Sequence, residues 1–266
     1  MGLAGAGHQS RRRRRRARPR AGPRGAYRAR SVIGTPRVHY RCTDSTNQRA
    51  REIAARGAPH GTVVTADQQS AGRGRQGRTW SAPPGSAVLM SLIVRNLGQS
   101  PALLPLVAAV ALCEAAESVA EVRCEIKWPN DVWVDRRKLA GILVEGRFAE
   151  GWAVVGIGLN VSSRVEEFPP ELRSSATSLL AATGAELGNE DVLSALLESL
   201  ERRLSTRPDE LLDAWRARDA LYGERVSWNG GEGTATGIDD SGALIVDSDS
   251  GDRVTLDAGE VHLAPD

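Results

Sequence analysis

The sequence predicts an α+β domain followed by a small antiparallel β module. Strand-like and helix-like apolar segments interleave between Arg37 and Leu221. Beyond Glu224 the pattern changes to short alternating segments separated by glycine-rich turns, as in a small barrel. At 266 residues, 41% of them hydrophobic, the chain can bury a sizeable core and divides naturally into a main domain and an appendage.

Taken in order, "RVHYRC" (37–42) alternates like a short strand. "DSTN" (44–47) offers capping side chains to a helix over "QRAREIAARG" (48–57), which Gly57 closes. "GTVVTAD" (61–67) reads as a buried strand. "QQSAGRGRQGRTWSAPPGS" (68–86) is too polar for one and forms a long loop, a feature usually functional or mobile. "SAVLMSLIVR" (86–95) is a strand, and "PALLPLVAAVALCEAAESVA" (101–120) an apolar helix. Strands follow in "RCEIKWPND" (123–131), "VWV" (132–134) and "KLAGILVEG" (138–146), the last two joined as a hairpin across "DRR". "GWAVVGIGLNV" (151–161) is another strand, with Asn160 near its end. "EDVLSALLESLERRL" (190–204) and "DELLDAWRARDAL" (209–221) are amphipathic helices. "RVSW", "GTATGI", "ALIVD", "RVTLD" and "VHLA" supply the strands of the β module. The expected limits are 37–221 for the main domain and 222–266 for the module.

The net charge of +2 is unevenly spread. Residues 1–41 carry 13 arginines and no acid, leaving 22 basic against 33 acidic residues in the remainder. Residues 1–36 are expected to be a disordered, arginine-rich tail, because such a segment cannot bury enough apolar surface to order. The tail lacks the apolar stretch of a secretory signal. A start codon placed too early would look the same, and a phosphate-binding arm is the functional alternative. No membrane-spanning run or internal repeat is read. Cys42, Cys113 and Cys124 have no metal-ligand spacing, and their odd number argues against a disulfide framework. A reduced, cytoplasmic compartment is expected.

Of 35 basic residues only Lys127 and Lys138 are lysines. Lysine is a compact point charge with a tunable pKa, whereas arginine is a rigid, permanently charged fork. The two positions therefore read as places where a guanidinium cannot replace an ammonium. "GRGRQGRTW" (72–80) alternates glycine, which lets a ligand approach the backbone, with Arg73, Arg75 and Arg78, which can neutralise a polyphosphate or a carboxylate. It has no Gly-Lys-Ser/Thr ending, which argues against an ordinary P-loop nucleotidase. In "KWPND" (127–131), Asp131 with Asn130 could hold Mg²⁺; the same residues also make an ordinary turn. Gly141 in "KLAGILVE" and the glycines of "GIGLN" suggest close approach of a ligand or another backbone, with plain strand packing as the alternative.

Together, "DSTNQ", "QQSAGRGRQGRTW", "KWPND", "RRKLAGILVE" and "GIGLN", in this order and spacing, resemble the biotin protein ligases over about residues 37–266. The resemblance implies a class II synthetase-like ligase domain, a mixed β-sheet flanked by helices, followed by an SH3-like β-barrel. It also implies ATP-dependent attachment of biotin, through biotinyl-5′-AMP and with Mg²⁺, to one lysine of a biotin carboxyl carrier domain. That carrier would belong to an acetyl-CoA, acyl-CoA or pyruvate carboxylase. Carried over by position, Ser45, Thr46, Asn47, Gln69, Arg73, Gly74, Arg75 and Lys138 fall at biotin, with Gln69 preferred to Gln68. Arg75, Arg78, Trp80, Lys127, Asn130 and Asn160 fall at ATP or the adenylate. Lys138, Arg73, Arg75 and Asp131 are the catalytic group, with Asp131 either holding Mg²⁺ or receiving the acceptor lysine's proton.

The glycine–arginine loop is the expected lid over the adenylate. Some family members carry a helix-turn-helix at the front, where this chain has only the arginine tail. Specific DNA binding and repression are therefore not expected, and neither is a membrane partner. A lipoate–protein ligase is the nearest alternative, sharing fold and chemistry. A nucleic-acid-binding protein is a different class, against which the acidic body argues.

Overall fold

The computed structural model describes residues 1–2, 33–95, 97, 101–257 and 259–264. Most of the expected arginine-rich tail, residues 3–32, lies outside them. Ser31–Asp266 form one compact unit.

Seven strands make a mixed sheet: β1 (Arg37–Tyr40), β2 (Val63–Ala66), β3 (Ala87–Arg95), β4 (Glu125–Lys127), β5 (Asp131–Val134), β6 (Arg137–Arg147) and β7 (Trp152–Asn160). Their order is β1-β2-β3-β7-β6-β5-β4. The β1–β2 pair is parallel and the other pairs are antiparallel. Among the described residues five α-helices accompany the sheet: α1 (Thr46–Ala55), α2 (Leu104–Val119), α3 (Leu179–Thr183), α4 (Asn189–Leu204) and α5 (Pro208–Arg216).

Side chains alternate across a strand, so each strand of the sheet addresses two compartments. On β7, Ala153, Val155, Ile157 and Leu159 join the main core with α2, α4 and α5. Trp152 and Val154 face the other way and pack against Ala50 and Ala54 of α1. Gly156, Gly158 and Asn160 continue the α1 face, and that is where the site lies. The run Pro101–Val119 is long and apolar enough to cross a membrane by length and composition, but 67% of its apolar window is buried in this core.

The expected elements form, with differences at their ends and one addition. The short α3 was not anticipated; Ser178 caps it by accepting from the Ala181 N–H. The last amphipathic helix ends at Arg216 instead of Leu221. Beyond it the chain pairs with edge strand β4, Ile126 N–H donating to Arg218 O (2.7 Å) and Ala220 N–H to Ile126 O (3.0 Å). The β5–β6 hairpin turns on Asp135 and Arg136 alone, with φ of 50° and 59°. Two successive left-handed residues match the strand twist in a two-residue turn.

The β module comprises β8 (Arg225–Trp228), β9 (Gly231–Ile238), β10 (Leu244–Ser248), β11 (Arg253–Leu256) and β12 (Val261–Leu263). They form an antiparallel sheet in the order β11-β10-β9-β8-β12, consistent with an SH3-like fold. The β9–β10 turn anchors the module to the main domain. Trp128, only 2% exposed, donates its indole N–H to Gly242 O (3.0 Å). Gly242 has φ +87°, and a Cβ there would stand 3.0 Å from Leu106 of α2. The turn chemistry of "KWPND" therefore also positions the module.

Candidate active site

The floor of the site is the α1 face of β6 and β7. A Cβ on Gly156 would stand 2.0 Å from Asn47 Oδ1, and one on Gly158 would stand 2.3 Å from the Trp80 ring. A Cβ on Gly141 would reach the same indole at 3.0 Å. These glycines make room for two of the protein's own side chains and also line the cavity, so close approach of a ligand to the same strands stays the expectation it was. Asn47 and Trp80 thus border a cavity of about 370 Å³.

The start of α1 forms one wall. Thr46 donates both its N–H and its hydroxyl to Gln69 Oε1 (2.7 and 3.0 Å). Gln69, arriving from the loop after β2, is therefore the cap, and the Ser45 side chain makes no capping bond. This outside acceptor lets the helix begin at Thr46, two residues before the expected start. Gln68 is exposed, so Gln69 is the glutamine at the site. Asn47 donates to Leu143 O (3.1 Å) and Glu145 Oε2 (3.0 Å), and its Oδ1 accepts from Ser91 Oγ (2.6 Å).

Residues 72–80 fold back on themselves as a narrow hairpin. Gly74 N–H donates to Arg78 O (2.7 Å) and Trp80 N–H to Gly72 O (3.0 Å). A Cβ on Gly72 would stand 2.3 Å from Trp80 O, so the crossing admits only glycine. The three arginines leave this hairpin toward different anchors. Arg73 Nη2 donates to Glu145 Oε2 (2.7 Å). Arg75 reaches Asn130 Oδ1 (3.4 Å) and Gly259 O (3.3 Å), and Arg78 pairs with Glu260 of the β module.

The opposite wall is the β4–β5–β6 meander. Asp131 pairs with Gly141 and Trp133 with Lys138. Between those pairs β5 has one residue, Val132, while β6 has two, Leu139 and Ala140. This β-bulge puts Lys138 and Gly141 on one face, although residues three apart on a regular strand would face opposite ways. Lys138 Nζ then lies 2.7 Å from Asp131 Oδ1 and 5.8 Å from the centre of the Trp80 ring. Its backbone is held from the far side, N–H to Ser175 O (2.7 Å) and carbonyl to Thr177 N–H (2.9 Å). Lys127 sits opposite Asp131 across β4–β5, its Nζ 5.4 Å from the Trp133 ring centre. Asn160, 4% exposed, donates to Thr177 O (2.9 Å), and Asn130 donates to Ile142 O (2.9 Å).

All the residues expected at the site, from Ser45 through Asn160, line this one cavity. Its lining carries five cationic side chains, Arg73, Arg75, Arg78, Lys127 and Lys138, against two carboxylates, Asp131 and Glu260. Burial pushes the Lys127 ammonium below the usual lysine range, with Asp131 pulling the other way, and burial lowers Arg75 likewise. A partly desolvated cation is stabilised by an incoming anion, so these two positions favour a negatively charged ligand. The Trp80 indole N–H is buried against Gly158 at the floor, with no hydrogen-bond partner among the described residues. No group of three or more His, Cys, Asp or Glu is gathered among the described residues.

Sequence reasoning missed three contributors. Glu145 holds Arg73 and Asn47, and the alternation 141–143–145 along β6 was a signal that could have found it. Gly259–His262 of the module line the cavity, as do Phe168, Leu172, Ser175 and Ala176 from the segment after β7. No local pattern marks these two stretches, because the chain brings them there only in three dimensions.

Comparison with known proteins gives consistent matches. A family model described as the biotin/lipoate A/B protein ligase family matches residues 39–162. One described as the biotin protein ligase C terminal domain matches residues 223–263. A biotin–[acetyl-CoA-carboxylase] ligase of Mycobacterium tuberculosis is 38% identical over 238 residues, covering 83% of this chain and 86% of that protein. The bifunctional ligase/repressor BirA of Bacillus subtilis is 36% identical over 236 residues, 83% of this chain and 72% of that protein. Among solved structures, biotin protein ligase from Aquifex aeolicus in complex with biotin and ATP superposes with a TM-score of 0.76 at 28% identity. That match covers 86% of this chain and 99% of the other.

Proposed function

The chain belongs to the biotin protein ligase family, and from that premise we propose that it is an ATP-dependent biotin–protein ligase. It forms biotinyl-5′-AMP and pyrophosphate from biotin and ATP, then passes the biotinyl group to one lysine of a biotin carboxyl carrier domain. The observation that carries this reading is the cationic cavity in which Lys138 and Asp131 face the Trp80 floor. The C-terminal match favours biotin over lipoate.

In the first step a biotin carboxylate oxygen attacks the α-phosphorus and pyrophosphate leaves. Two anions must meet, and preorganised positive charge is what offsets their repulsion. Lys138 is assigned to the reacting carboxylate and α-phosphate, with Arg73, Gly74 and Arg75 of the loop closing over them. Arg75, Arg78 and Lys127 take the phosphates, and Trp80, Asn130 and Asn160 bound the adenylate. Ser45, Thr46, Asn47 and Gln69 are assigned to the biotin ring system. The 72–80 hairpin, which reaches from the sheet to the module, excludes water from the mixed anhydride.

In the second step the carrier amine attacks the biotinyl carbonyl, AMP leaves, and the amine loses a proton. Asp131 and Glu260 are the carboxylates in the cavity lining, and Glu260 is engaged by Arg78. Asp131, which pairs with Lys138 on the cavity wall, is assigned to orient the amine and receive its proton when it holds no metal ion. A single carboxylate also fits Mg²⁺, which is commonly held by one or two carboxylates together with substrate phosphates. Asp131 would be its protein ligand, in place of the proton-accepting role, and the ion would supply further neutralisation of phosphate charge.

The acceptor is assigned to the carrier domain of acetyl-CoA or acyl-CoA carboxylase, with pyruvate carboxylase as a further acceptor, in the cytoplasm. The proposal includes the domain limits 37–221 and 222–266 and assigns no specific DNA site. Incubation with biotin, ATP and an isolated carrier domain tests it. The carrier should gain one biotinyl group on one lysine, and an unlabelled carrier beside a folded, biotin-binding chain would contradict the reading.

A further inference from the structure

A closed circuit of side chains runs beneath the glycine–arginine hairpin. Gln69 stands at its root and accepts from Thr46. Thr46 Oγ1 lies 2.8 Å from Ser91 Oγ, which donates to Asn47 Oδ1 at 2.6 Å. Asn47 Nδ2 donates to Glu145 Oε2 at 3.0 Å, and the same oxygen accepts from Arg73 Nη2 at 2.7 Å. The main chain from Arg73 back to Gln69 completes the ring. Glu145 Oε1 meanwhile accepts from Arg51 of α1 at 3.3 Å.

Resting on the ligase reading, we propose that Glu145 is a positioning residue that holds the lid hairpin to the biotin wall by binding Arg73 and Asn47 with one carboxylate oxygen. Glu145 does not line the cavity, so it acts only through those two partners. Three features support the role. Glu145 is the anionic member of the ring, and hydrogen bonds to an ionised acceptor are the strong ones. Its own side chain is 24% exposed, although Arg73 stands at the surface, so the carboxylate is the less solvated half of the pair. It lies on β6 in the same row as Gly141, so one rigid strand sets both the lid anchor and the floor under Trp80. Loss of the carboxylate leaves Asn47 and Arg73 without their shared acceptor, and the lid limb loses its tie to the sheet.

The test compares the full chain with Glu145→Gln, Glu145→Asp, Arg73→Ala and the double variant Glu145→Gln/Arg73→Ala. The measured quantity is the rate at which preformed biotinyl-5′-AMP leaves the enzyme, alongside kcat and the biotin KM of ATP–pyrophosphate exchange. Glu145→Gln should release the adenylate about tenfold faster, as expected for one charge-assisted hydrogen bond. Its biotin KM should rise while kcat stays within about threefold, a split that a general loss of folding would not produce. Glu145→Asp should recover part of the retention, and the double variant should release well below the product of the two single effects, since the Arg73 contact is common to both. Arg73 is at the surface, so its variant should fold, and Glu145→Asp keeps the proposal testable if Glu145→Gln folds poorly. Multiplying effects in the double variant, or unchanged release from Glu145→Gln, would overturn the positioning role while leaving the ligase reading intact. No biotin-dependent exchange by the unaltered chain would overturn both.

Discussion

Lys138 Nζ stands 2.7 Å from Asp131 Oδ1 because β6 carries one more residue than β5 across the pairs that flank them. The bulge turns Lys138 toward the cavity, and the bridge to residues 175–177 holds its backbone there. This placement gives a physical reason for one of the two lysines in an arginine-rich chain. An ammonium can contact Asp131 and a ligand anion from a single centre. A guanidinium is wider, and its donors lie in a fixed plane. Lys127 has a separate reason, being a partly buried cation stacked on Trp133, where its charge is tunable as arginine's is not.

Lys138→Arg is therefore expected to retain the fold and to lose about 10²–10³ in the rate of adenylate formation, or roughly 3–4 kcal/mol of transition-state stabilisation. Circular dichroism and single-turnover formation of biotinyl-AMP check the two halves. A folded variant with near-normal turnover would remove Lys138 from its assigned role.

Gly158→Ala should damage the site through Trp80. The new methyl would lie 2.3 Å from the indole with backbone on its other side, so the ring must move. Overpacking of this kind costs about 1–3 kcal/mol. Both chemical stability and biotin affinity should fall, measured by urea denaturation and calorimetry. Unchanged affinity would mean that Trp80 does not shape the pocket.

The pH dependence of stability should carry the signature of Asp219. Burial raises its carboxyl from 3.8 to about 6, outweighing the backbone hydrogen bonds from Leu221 and Tyr222 that pull it down. The folded state therefore keeps the proton between about pH 4 and 6, while the unfolded chain has released it. Stability falls as pH rises through that window and then levels off, by an amount of order 2–3 kcal/mol. Asp219→Asn should flatten the slope, as read from denaturation midpoints at several pH values. A slope of the same size in the variant would assign it to another group.

Much of the site was legible because its chemistry is local in sequence. "STN", "GRGR", "KWPND" and "GIGLN" each end or interrupt a regular element, and the sheet gathers those ends on one face. The reason for the strand glycines was not legible, since Gly156 and Gly158 answer to Asn47 and Trp80, whose positions depend on the whole sheet. Nor was the cap on α1, because "DSTN" contains good local caps and the actual acceptor, Gln69, is 23 residues away in sequence from Thr46. The end of α5 was overestimated for a related reason. Helical periodicity persists to Leu221, but the unpaired edge of β4 captures residues 218–220 instead. The module strands were readable from their turns, while the contribution of Gly259–His262 to the cavity required the Trp128–Gly242 anchor that docks them.

The most direct test of the central claim is pyrophosphate exchange into ATP, followed with labelled pyrophosphate on the full chain, with biotin, with lipoate and with neither. A carboxylate activated at this site must release pyrophosphate reversibly, so the account predicts exchange with biotin alone, reduced in Lys138→Arg. Exchange supported by lipoate instead of biotin, or no exchange by a folded chain, would contradict it.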